Sequence, residues 1–249
     1  MSRLSSTFVS LRAAILAAAA LCFALPSLAA NLQISPVSIQ FRAGQGASSV
    51  SLQNYGDAPL VGQVRVYAWD QRDGQDVLTP AVDVVASPPV MEVAARSSQV
   101  IRLVRRNPAQ GAAEQSYRIL IDEVPRDDAG GSGVAIRLQY SVPAFVQPVD
   151  PQAAPKLRWE LFRRDGAWML RVRNDGSMHA QIGAATLHAN GKDYPLSKGL
   201  LGYALAGRMR EWRLPVDGAL ALGAAGAALA IDANVNAQAQ TASGTVVRE

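Results

Sequence analysis

Cysteine is all but absent from this sequence. The single Cys22 lies inside an apolar leader, so the chain beyond it has none and no disulfide framework can form. Histidine is nearly as sparse. His179 and His188 stand apart without clustered carboxylates, which makes a poor metal set, so no metal and no cofactor is expected. The basic residues are scattered along the chain rather than gathered in a block, which leaves nucleic-acid binding without compositional support. No run after the leader approaches the roughly 20 apolar residues of a membrane-crossing helix, so no membrane insertion is expected. Catalytic groupings are missing as well. The turn before His179 (Asn174, Asp175, Ser177) lacks the base and orienting partner that a nucleophile needs. The glycine cluster at 130–133 has no helix after it and is no phosphate cradle. Trp69, Trp159, Trp168 and Trp212 could form a sugar platform, although core packing is the commoner use of tryptophan in sandwiches. The sequence does not read as that of an enzyme.

What is present begins with the leader. Arg3 and Arg12 precede an apolar run over 13–25, followed by Pro26 and a small-residue segment ending at Ala29 and Ala30. Residues 1–30 therefore read as a secretory signal, with cleavage after Ala29 or Ala30 fitting equally well. Removing Arg3 and Arg12 lowers the formal charge from +4 to about +2. The expected product is an exported chain that needs no disulfide.

After the leader the pattern is strand, turn, strand. Strand-like segments fall at 32–41, 48–52, 61–69, 82–86, 99–104, 117–124 and 134–145, with a glycine-rich hairpin loop before the last. Seven short strands with regular turn signals point to an immunoglobulin-like sandwich over 31–146. Residues 147–155 hold Pro148, Pro151 and Pro155 and read as a linker. Residues 156–249 read as a smaller β-sandwich domain. A hairpin there closes through a type I′ turn at Asp165-Gly166, and further strands fit at 179–189, 208–214 and 227–231. The Ala/Gly-rich stretch over 217–230 reads as loop followed by strand, and 234–249 as a loose tail. The fold class is all-β, with two immunoglobulin-like sandwich domains.

The strand at 134–142 carries the sharpest signal. Val134, Ile136, Leu138, Tyr140 and Val142 alternate with Arg137, Gln139 and Ser141, giving one apolar and one polar face. Such a strand is either a half-buried member of its own sheet or an edge prepared to pair with another chain.

Several segments in order resemble the periplasmic pilus-assembly chaperones of the chaperone–usher pathway. They are Ile34-Ser35-Pro36-Val37-Ser38-Ile39-Gln40-Phe41, then Ala86-Ser87-Pro88-Pro89-Val90 followed by Arg102. The stretch from Glu114 to Pro125, the alternating strand, and Phe145-Val146-Gln147-Pro148 continue the likeness. The resemblance implies two immunoglobulin-like domains set at an angle around a cleft. It implies a chaperone that binds, folds and caps pilus or fimbrial subunits by lending them its seventh strand, and delivers them to an outer-membrane usher. Carried over residue by residue, Val134, Ile136 and Leu138 would be the inserted side chains, with Tyr140 and Val142 continuing the row. Better-known members hold the subunit's C-terminal carboxylate with an arginine on the first strand and a lysine on the seventh. Ser38 and Pro143 stand at those positions here, a departure similar to the archaic or alternative branch. Arg102, Arg118 and Arg137 are then the candidate carboxylate anchors. An apolar edge awaiting a partner also implies self-association of the free protein. The competing readings are a secreted carbohydrate-binding or surface-fibre sandwich and a hydrolase on a sandwich scaffold. A fibre subunit would carry an N-terminal donor extension, which the short segment before Ile34 does not supply.

Overall fold

The computed structural model describes residues 32–108, 111–124 and 138–248, and no helix occurs among them. The leader at 1–30, Val134, Ile136 and Arg137 lie outside the described residues. Ten strands build the first domain. They are β1 (Leu32–Ser35), β2 (Ile39–Phe41), β3 (Ala47–Asn54), β4 (Leu60–Arg72) and β5 (Gln75–Pro80). β6 (Val84–Ser87), β7 (Val90–Val93), β8 (Ser98–Arg105), β9 (Gln115–Val124) and β10 (Gln139–Val146) complete it. A four-stranded sheet runs β1-β3-β8-β6; a second sheet runs β2-β10-β9-β4-β5, with β7 also paired to β4. The two layers pack face to face through Phe41, Leu52, Ile101, Leu103, Ile119 and Ile121, all at most 1% exposed.

The single first strand expected over 32–41 is in fact two. β1 belongs to one sheet and β2 to the other, and the chain crosses between layers at Pro36-Val37-Ser38. Proline has no N–H to give the ladder, so the pairing of β1 ends there, while Ile34, Ile39 and Phe41 still reach one core. The same device recurs at Ser87-Pro88, where the chain leaves β6 for β7 in the other sheet. β5 and β7 had no readable signal. Five of the six residues of β5 are exposed, so it has no buried face to produce alternation.

The second domain contains β11 (Leu157–Arg164), β12 (Ala167–Asn174), β13 (Ala180–Ala189) and β14 (Lys192–Ser197). β15 (Gly202–Ala204), β16 (Met209–Arg213), β17 (Ala228–Val235) and β18 (Gln238–Val246) follow. They form one sheet, ordered β14-β13-β17-β18-β11-β12-β16 with β15 on β13. Its arms enclose a core of Trp159, Leu161, Leu170, Leu187 and Ile231. The β11–β12 hairpin turns at Asp165 and Gly166, both with positive φ (49° and 75°), as a type I′ turn requires.

The stretch at 234–249, expected to be loose, is strand for most of its length. β17 and β18 pair over eight residues through a turn at Asn236 and Ala237, both with positive φ, and β18 also pairs in parallel with β11. The small polar residues conceal a strand because β18 lies between two neighbours. At Gly244 a Cβ would come within 2.6 Å of the Ile231 side-chain tip, so a larger residue there would require that side chain to move.

Candidate functional site

β10 is paired unevenly. Along one side it pairs with β9 over its full length, Gln139–Val146; on the other, β2 covers only Ala144, Phe145 and Val146. Glu123 N–H donates to the Leu138 carbonyl (3.2 Å) and Gln147 N–H to the Phe41 carbonyl (2.9 Å). In an antiparallel ladder the bonding side alternates. The even-numbered residues of β10 therefore spend their main-chain groups on β9, and the odd-numbered ones turn theirs to the other edge. At Gln139 and Ser141 that edge offers N–H and C=O with no strand of the described residues beside them; Pro143 has no N–H, and its C=O faces the start of β2 at the Ala144–Ile39 pair.

The side chains divide the same way. Tyr140, Val142, Ala144 and Val146 point inward, Val142 being 5% exposed within the chain's own core. Tyr140 is half-buried, packs on that core and donates its hydroxyl to the Leu32 carbonyl (2.8 Å). Leu138, just ahead of the strand, is half-buried. The apolar row anticipated from sequence thus has its far end, Tyr140 and Val142, inside this molecule.

The outward face of the β10 sheet meets the second domain. Trp69, Phe145, Tyr203 and Leu205 form a separate buried cluster across the boundary, with Trp69 edge-on to Tyr203 (5.1 Å, 78°). Gln71, 4% exposed, acts there like a piece of β-ladder. Its amide nitrogen donates to the Tyr203 carbonyl (2.8 Å) and its oxygen accepts from Leu205 N–H (3.0 Å). Lower down, Glu211 N–H donates to the Gly74 carbonyl (3.0 Å) at the tip of the β4–β5 hairpin. The buried Glu211 carboxylate takes Arg164 and Arg171, each at 2.7 Å. Burial pushes its pKa up, but the hydrogen bonds from the two arginines outweigh that and hold it below the usual carboxylate range. These contacts join the two domains.

The three candidate anchors are not together. Arg102 is exposed on β8, between Ile101 and Leu103 of the core, and points outward from the four-stranded sheet, away from the second domain. Arg137 lies outside the described residues. Arg118 stands on the cleft face. Its guanidinium carbon lies 3.7 Å from the Trp69 ring centroid and 5.2 Å from that of Tyr203. Among the described residues Arg118 has no hydrogen bond or ion pair, and burial pulls its pKa down from the ordinary arginine value. Register explains the departure at Ser38 and Pro143. Pro143 pairs with Arg118, which pairs with Tyr67, while Ser38 precedes the Ile39–Ala144 pair. Ser38, Pro143, Arg118 and Tyr67 therefore form one row across four strands. Arg118 lies in that row, one strand in from Pro143.

Sequence reasoning missed Gln71, Glu114, His179, Tyr203 and Glu211. The partners of Gln71, Glu114, His179 and Tyr203 across the boundary are 65 to 134 residues away, and no local pattern marks any of the five. No cluster of His, Cys, Asp or Glu able to hold a metal occurs among the described residues.

Comparison with known proteins agrees with this geometry. Residues 31–152 match the family model of the pili and flagellar-assembly chaperone, PapD N-terminal domain. The chain is 25% identical over 194 residues to the probable fimbrial chaperone YadV of Escherichia coli, covering 71% of this chain and 78% of that one. A chain of the CsuC–CsuE chaperone–tip adhesion subunit pre-assembly complex, from the archaic chaperone–usher Csu pili of Acinetobacter baumannii, matches with a TM-score of 0.68. It is 23% identical and covers 88% of this chain and 100% of its own. The Salmonella enterica SafA pilin–SafB chaperone complex matches at 0.58, with 18% identity over 89% and 98%. Two immunoglobulin-like domains, a half-paired strand over the cleft and these matches lead to one conclusion: the chain belongs to the periplasmic pilus-assembly chaperones of the chaperone–usher pathway.

Proposed function

We propose that this chaperone receives pilus subunits on the open edge of β10. The subunit's strand pairs with the main chain of Gln139 and Ser141, and side chains ahead of the strand enter the subunit's core. Leu138 is the first of these, preceded by Ile136 and Val134. Tyr140 and Val142 then form the root that keeps the lent segment attached to the chaperone's own core. Arg118 receives the subunit's terminal carboxylate, and Trp69 holds the guanidinium flat for a forked hydrogen bond. The absence of basic residues at Ser38 and Pro143, with Arg118 in the same row, supports membership of the archaic branch. The chain enters the periplasm through a signal cleaved near Ala29 or Ala30 and hands its cargo to an outer-membrane usher.

The uneven pairing of β10 carries this reading. A strand paired on one side only is an aggregation hazard unless something covers it. Burying three aliphatic side chains supplies roughly 1.5–3 kcal/mol each, enough to hold a subunit in competition with solvent. The test is co-expression of the full chain with a pilus subunit, comparing wild type with the double variant Ile136→Asp, Leu138→Asp. Wild type should keep the subunit soluble and co-purify with it, and the variant should not. Equal recovery with both would overturn the reading.

A further inference from the structure

A buried carboxylate joins the root of β10 to the second domain. Glu114, just ahead of β9, has a side chain that is 0% exposed. Its Oε2 accepts two hydrogen bonds from His179, from the main-chain N–H (2.8 Å) and from the ring Nδ1 (2.6 Å). Its main-chain N–H donates to the Ser177 carbonyl (2.9 Å), so both ends of the residue hold the same turn of the second domain. Oε1 has no partner among the described residues. A carboxylate buried on such terms is costly to keep, and its whole hydrogen-bonding capacity is directed at one histidine.

The imidazole lies flat on Phe145, with ring centroids 3.6 Å apart and planes within 4°. Phe145 belongs to β10 and is 1% exposed. It is also the point where β10 is held on both sides, opposite Ser116 of β9 and Gln40 of β2. Four residues further along lies Ser141 on the open edge, about 14 Å away in an extended strand. Phe145 shares its cluster with Trp69 and Tyr203, the two rings that wall Arg118. One imidazole therefore touches the strand that is lent and braces the rings around the cation.

We propose that Glu114 and His179 are positioning residues of strand donation, coupling the root of β10 to the second domain through their buried hydrogen bonds and the imidazole stacked on Phe145. Around that ring stand Glu114 from the start of β9, the neutral Phe145 of β10, Tyr203 of β15 and the neutral Asn236, whose amide donates to the His179 carbonyl (3.3 Å). Arg118 lies beyond Tyr203, and the Asp70–Arg208 pair lines the small crease beside Glu114. The proposal rests on β10 being the lent strand.

The experiment is amide hydrogen exchange on the free mature chain at one fixed pH. Wild type is compared with His179→Ala and Glu114→Ala, which each remove one partner, and with Glu114→Gln, which keeps the shape and the acceptor. Protection of Gln139–Val146 should fall by about fivefold or more in both alanine variants, the lower end of ordinary coupling, and be recovered in Glu114→Gln. Protection across the β3–β8 ladder serves as the control. Unchanged protection in both alanine variants, or a loss that appears equally in β3 and β8, would overturn the proposal. The failure of strand donation itself is read separately, by subunit recovery with the Leu138 and Ile136 variants.

Discussion

Replacing Arg118 by alanine separates binding from stability. In the free protein the guanidinium gains from lying 3.7 Å above the Trp69 ring, an interaction of roughly 0.5–2 kcal/mol. Against this stands the desolvation of a cation that makes no ion pair among the described residues, which outweighs the distant attraction of Asp76 and lowers its pKa. The two effects oppose, so Arg118→Ala should move the melting midpoint by only a few degrees, at about 2–4 °C per kcal/mol. Binding should respond far more. A charge-assisted contact to a carboxylate contributes about 1.5–3 kcal/mol. At about 1.4 kcal/mol per tenfold, the variant should bind a subunit about 10- to 140-fold more weakly. Arg118→Lys keeps the charge but not the planar fork or the stacking, and should fall between. The assay is a titration of each purified chaperone against one subunit, with melting curves on the same samples and a parallel series at high salt. Affinity for Arg118→Ala within twofold of wild type, with an unchanged midpoint, would refute the role of this residue.

Two further outcomes follow from the domain boundary and the second domain. At Gly74 (φ +71°) a Cβ would lie 2.6 Å from the Glu211 side chain, which Arg164 and Arg171 hold in place. Gly74→Ala should therefore cost at least about 1–2 kcal/mol from the left-handed backbone alone and lower the melting midpoint by roughly 2–8 °C. A midpoint equal to wild type would show that the hairpin tip is not clamped. His188 bonds Asp193 (2.7 Å) and Asp232 (2.9 Å), which raise its pKa above the ordinary 6.5. A raised folded-state pKa gives stability that is complete below the unfolded value and lost as pH rises through the folded one. Wild type should thus melt above His188→Gln at about pH 5.5 and lose that advantage by about pH 9; a gap of constant size would contradict the assignment.

Legibility differed between the layers of this molecule. Strands with one buried face could be read directly: β9 and β4 alternate because every second side chain meets the other sheet. The type I′ turn at Asp165-Gly166 was equally plain, since few residue pairs adopt two positive φ angles in succession. Edge strands such as β5 left no mark, having almost no buried side chain. β18 was concealed as well. It is a central strand of small and polar residues, most of them exposed, with Gly244 and Val246 turned to the core.

The sequence by itself determined the class of the protein: an all-β chain without disulfides, and an alternating row that ends beside a proline-rich linker. It determined these because they depend on local periodicity and composition, which neighbouring residues express. Only the tertiary structure decided which part of that row belongs to the chaperone. Val142 and Tyr140 face their own core, while the edge at Gln139 and Ser141 lacks a second strand among the described residues. It also separated Arg102 from Arg118: they lie on different sheets, and only the face that carries Arg118 is turned to the second domain. Glu114 and His179 became visible last. They are 65 residues apart and meet only where the two domains pack together, with His179 stacked on Phe145 of β10.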